Sequence, residues 1–96
     1  MANPNQAYVD PEALRTLSAE LSMLAGKIEQ MESDLRAGLA QLGRTFRDDE
    51  YTKFQAHFLS SSQQLKGFVE AVRRLTPKLD HDAEELIAAQ RIKLEL

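Results

Sequence analysis

The sequence predicts an all-α, antiparallel two-helix hairpin. Three observations carry this: two long apolar stripes at three- and four-residue spacing, a helix-start signal before the first, and a short Gly-containing break between them. Ninety-six residues suffice for one domain, residues 1–96, but a chain this short hides only about two-thirds of the surface its unfolded form exposes. A partner or a second copy would add to that burial.

The first helix is expected at about 11–42. Asp10-Pro11-Glu12 supplies a cap whose carboxylate can accept from freed amides, and a proline where the missing N–H costs nothing. Leu14, Leu17, Leu21, Leu24, Ile28, Met31, Leu35 and Leu42 then follow at helical spacing, with Gly38 where the stripe lapses. At about 1.5 Å per residue such a helix runs about 48 Å, too long for a globule of this mass. The Leu stripe reads as core, facing one neighbour along its length.

Gly43 ends the pattern, on the expectation that it takes the left-handed conformation of a helix C-cap, and residues 43–47 form the connection. The second helix is expected at about 48–90. Asp48, Asp49 and Glu50 place negative charge at its positive dipole end, and Thr45 or Asp48 can cap it. Tyr51, Phe54, Phe58, Leu65, Phe68, Val72, Leu75, Leu79 and Leu86 continue the spacing, interrupted by Ser61 and Asp82. Pro77 inside this pattern implies either a kink in a continuous helix or a separate C-terminal helix capped at Thr76-Pro77. A short connection between two long amphipathic helices folds them back on each other.

Beyond the two-helix seam, Leu59, Val69, Ala71 and Ile87 widen the stripe of the second helix. They are the candidate partner-interface residues, and with them the hairpin is expected to dimerise into a four-helix bundle. Ala19, Gly26, Ser33 and Ala40 recur every seven residues away from the Leu seam, as a close-approach surface or as solvated filler.

The chemistry of most other function classes is missing. A net charge of −3, with both signs interspersed, offers no basic face for nucleic acid, and no apolar run is long enough for a membrane span. There is no cysteine. His57 and His81 lie far apart without metal-ligand spacing, the four glycines form no phosphate loop, and Ser60, Ser61 and Ser62 lack a base. No catalytic, cofactor or metal site is therefore expected. The polar Met1–Asp10 segment has no basic-then-apolar signal-peptide pattern, which implies synthesis in the cytoplasm and, for any export, another route.

Between the helices stands Phe46-Arg47-Asp48, with Phe54 eight residues after Phe46. This arrangement resembles the WXG-type superfamily of small helical hairpins associated with type VII secretion, whose Trp-x-Gly motif occupies this loop and is often followed by an aromatic at that distance. Here Phe replaces Trp and Asp replaces Gly. Phe46 can still fold over the hairpin end while Asp48 caps the second helix. The resemblance implies pairing with a second copy or a related hairpin, and a role as secreted effector, partner of a larger secreted effector, or adaptor. Family members often carry a Tyr four positions before an acidic residue after the second helix. No Tyr follows Tyr51 here, although His81 and Glu85 have that offset. An intracellular structural or regulatory coiled-coil adaptor is the alternative reading.

Overall fold

A computed structural model describes residues 9–95, with side chains through Leu94; the segment at 1–8, most of the stretch read above for a signal peptide, lies outside the described residues. Two helices make up the fold: α1, Pro11–Leu42, and α2, Asp49–Glu95. Asp10 caps α1 by accepting from the Glu12 amide at 3.0 Å. α2 is unbroken across Pro77 and continues beyond Gln90.

The helices lie antiparallel in a rod 72 Å long, with a radius of gyration of 21.2 Å against about 12.5 Å for a compact chain of this length. The accessible surface is 7875 Å², whereas a compact 10.8 kDa monomer exposes about 5500 Å². A hairpin of this shape leaves a large share of its apolar surface in water.

The contact between the helices is not centred on the leucine stripe. Ala25, Val69 and Val72 form the buried cluster, with Leu21 and Ile28 packed against it. Ser18, Ser62, Thr76 and Ala83 continue the buried row. In heptad terms, Ser18 and Ala25 on α1, and Ser62, Val69, Thr76 and Ala83 on α2, occupy position a. Position d holds Leu14, Leu21 and Ile28 on α1, and Phe58, Leu65, Val72 and Leu79 on α2. Small residues at a let the helices approach closely, close enough for the Ser18 hydroxyl to reach the Thr76 carbonyl at 3.4 Å. Among the described residues no large side chain is fully buried.

The connection closes differently from the sequence expectation. Gly43 sits at φ −64°, in the right-handed region, and its N–H donates to the Leu39 carbonyl. Its absent side chain makes room instead: a Cβ here would stand 2.7 Å from the Tyr51 hydroxyl oxygen and 3.2 Å from the Leu39 carbonyl oxygen. That hydroxyl donates to the same Leu39 carbonyl, giving this acceptor a second donor, from a side chain of α2.

A mutational cycle tests this clasp. On backbone grounds alone Gly43→Ala would stabilise by about 0.4–1 kcal/mol. Because the Tyr51 hydroxyl must leave its carbonyl to admit the methyl group, we expect a net loss of about 1–2 kcal/mol. Tyr51→Phe alone costs about 1 kcal/mol. Thermal or denaturant melts of the double variant should show less than the sum, since part of the methyl's clash partner is gone.

Candidate functional site

Successive heptads give each helix two flanks beside the a/d seam, and in an antiparallel pair position e faces e across the seam while g faces g. The e flank is charged. Arg73 donates two hydrogen bonds to the Glu29 carboxylate, one of them at 2.7 Å. Arg36 lies 5.8 Å from the Phe58 ring centroid, over its face, and is held by Glu32 at 2.7 Å. Hydrogen bonding to Arg73 draws the Glu29 carboxyl below its ordinary range. For a group so depressed, the contribution is present above the unfolded-state value and is lost as pH falls through the folded-state value. NMR titration should find Glu29 below ordinary glutamate, and returned toward it in Arg73→Gln. Because the pair is exposed, the effect on overall stability is small.

The opposite flank is apolar. Position g carries Leu17, Leu24 and Met31 on α1 and Phe54, Phe68 and Leu75 on α2, and all six are exposed: Leu24 at 43%, Met31 at 59%, Phe54 at 55% and Phe68 at 44%. The neighbouring d residues Leu35, Leu42 and Leu65 are also exposed. With e-flank residues paired across one side of the seam, these g and d side chains share the other, and form one apolar face along most of the hairpin. Contiguous exposed apolar surface on this scale marks an interaction site.

The residues singled out from sequence fall in three places. Phe46 packs edge-on against Tyr51, ring centroids 6.0 Å apart at 88°, in the loop. Asp48 caps α2 by accepting from the Glu50 amide at 2.7 Å. Phe54 stands on the apolar face. Leu59 and Ile87 lie at position e, on the charged flank, and Ala71 is exposed at the rim of the apolar face. Val69 is a correction: it is 4% exposed, inside the hairpin against Ala25, so its surface is already covered by its own chain. The residues that form the open face, Leu17, Leu24, Met31, Phe68 and Leu75, were read from sequence as hairpin seam. The buried row of Ser18, Ala25, Ser62, Thr76 and Ala83 is the signal that separates the two.

His57 is exposed, and His81 contacts Glu85 at 3.0 Å, also in the open. Among the described residues no group of three or more His, Cys, Asp or Glu side chains converges on a possible metal position. No described helix is long and apolar enough to cross a membrane.

Residues 6–90 match the family model WXG100, proteins of 100 residues with WXG. Among solved structures, the fold is similar to the secreted protein EsxB from Bacillus anthracis strain Sterne. A single-substitution mutant of that protein is 20% identical, with 90% of this chain and 95% of that chain covered and a TM-score of 0.71. Its selenomethionine-labelled form is 18% identical, with 94% and 99% covered and a TM-score of 0.73. At these identities the likeness concerns the fold. No curated protein matches the sequence. The family match runs across both helices and the Phe46-Arg47-Asp48 loop between them, and on that match the chain belongs to the WXG100 family, small helical proteins associated with type VII secretion.

Proposed function

We propose that this chain is a non-enzymatic pairing module, which closes its apolar face against a second helical hairpin to form a four-helix bundle. The observation that supports this reading is the open row of g and d side chains opposite the charged flank. Water contact with that row is costly, and a helical face of matching length removes it. The partner is the same chain or a related hairpin, and the pair serves type VII secretion as a substrate or as the partner of a larger secreted effector. Synthesis is cytoplasmic and export independent of a signal peptide. Light scattering on the purified chain, alone and mixed with candidate hairpins, tests the pairing; a compact monomer in every mixture at high micromolar concentration would reject it.

One observation favours a second reading, an intracellular structural or regulatory adaptor. No Tyr follows Tyr51, and the corresponding offset is held by His81 and Glu85, which engage each other at 3.0 Å. Culture supernatants from strains with and without a working type VII apparatus separate the two. Protein that appears outside unlysed cells only with the apparatus supports the secretion reading, and its absence in both supports the adaptor.

A further inference from the structure

Met31 stands within the open face, at position g, with Leu24 and Leu35 on either side of it along α1. Since Ala25 and Val69, or Ser18 and Thr76, share a level along the hairpin, Leu65 lies at nearly the level of Met31 on α2. Among the large side chains of that face Met31 is the most exposed, at 59%, and it alone carries sulfur. The chain has no cysteine, so no thiol of its own competes for an oxidant. The other described methionine, Met23, is equally open, at 62%, but at position f, on the outer surface away from the face. Two thioethers alike in exposure thus differ in one respect: only Met31 is covered when the face closes.

Resting on the pairing reading above, we propose that Met31 is an oxidation site that controls pairing: its sulfoxide keeps a free hairpin unpaired, and a closed face shields the sulfur from oxidation. The oxidant is a peroxide. A lone pair of the Met31 sulfur attacks one oxygen of hydrogen peroxide, and an S–O bond forms as the O–O bond breaks. The proton of the transferred hydroxyl passes to the departing hydroxide, which leaves as water. Sulfur is oxidised by two electrons and the peroxide reduced by two, so the step needs no other reactant. The product is polar where the thioether was apolar. In the separated hairpin the new oxygen stays hydrated, because the side chain is already more than half exposed, and the helix contact is undisturbed. In a closed bundle it loses its water beside Leu24, Ile28 and Leu35. The guanidinium groups of Arg36 and Arg73 are on the opposite flank, engaged by Glu32 and Glu29. A polar group buried without a partner weakens pairing about tenfold to a hundredfold. Oxidation of Met23, on the outer surface, leaves pairing unchanged.

Dilute hydrogen peroxide on the purified full chain tests this, with each methionine followed by peptide mass mapping and pairing by sedimentation. At a concentration where the native chain pairs, Met31 should oxidise at least about tenfold more slowly than Met23, and on dilution to the unpaired state the two rates should converge. Chain oxidised while dilute and then freed of peroxide should pair about tenfold to a hundredfold more weakly, with unchanged far-ultraviolet circular dichroism. A methionine sulfoxide reductase with a thiol reductant should restore it. Met31→Leu should pair as the native chain does and keep pairing after peroxide, whereas Met23→Leu should lose pairing on the same treatment. Pairing indifferent to the Met31 sulfoxide, or equal oxidation of Met31 and Met23 in the paired state, would overturn the proposal and leave the pairing reading standing. For a native chain that pairs only with a related hairpin, the same measurements on that mixture decide in the same way. A native chain that pairs with nothing overturns the pairing reading and this proposal with it.

Discussion

Replacing Leu24 and Phe68 together by Asp is expected to abolish pairing, with affinity weakened by about a thousandfold or more, while the hairpin itself stays folded. Both side chains stand on the apolar face, at 43% and 44% exposure in the single chain. In the separated hairpin the new carboxylates therefore reach water, and each costs about 1 kcal/mol, from the part of the side chain that the hairpin covers and from Asp being the poorer helix former. In a closed bundle the same carboxylates would lose their hydration with no cation to meet them. The Arg73 guanidinium is on the opposite flank, engaged by Glu29. Two buried unpaired charges cost several kcal/mol together, and 1.4 kcal/mol is tenfold in affinity. Sedimentation velocity should show a dimer for the native chain and a monomer for the variant, with unchanged far-ultraviolet circular dichroism. A variant that still dimerises would mean that the contact lies elsewhere, and the charged flank around Leu59 and Ile87 would be the next surface to probe.

The hairpin was legible in the sequence because helical spacing, the Asp10-Pro11 start and the acidic residues before Tyr51 are local signals with local causes. The direction in which the stripe faces was not. Leucines at d and g fit two geometries equally: a hairpin seam centred on both, or a seam centred on a and d with g left for another chain. What decides between them is the small-residue row. Ser18 and Ala25 on α1 admit a close neighbour, and so do Ser62, Thr76 and Ala83 on α2, but each of these reads singly as an unremarkable helix residue. Only the coincidence of two such rows, brought face to face by the hairpin, reveals the contact. The same applies to Gly43. Its presence at the helix end is readable, whereas the Tyr51 hydroxyl that requires its bareness is eight residues away and enters only through the fold.

The small-residue row carries the second large effect, expected from Ala25→Leu, which adds hydrophobic volume and yet destabilises the hairpin by about 2–3 kcal/mol. Ala25 is 1% exposed and faces Val69 and Val72 at the centre of the helix contact. Three more carbon atoms cannot be accommodated there without moving the helices apart, and overpacking of this kind costs typically 1–3 kcal/mol. Separation would also strain the Ser18 contact to the Thr76 carbonyl, one turn or two along the same row. For a chain of this length, 1 kcal/mol lowers the melting temperature by about 4–8 °C, so a drop of about 10–20 °C is expected. Leu17→Ala removes a comparable amount of hydrocarbon from the open face and should cost the separated hairpin under about 1 kcal/mol, because Leu17 is already 45% exposed. Both substitutions are best measured in the Leu24→Asp, Phe68→Asp background, where pairing no longer adds its own stabilisation to the melt. If the seam instead ran along the leucines, the order would invert: Leu17→Ala would be the costly change, and Ala25→Leu would be absorbed at the surface.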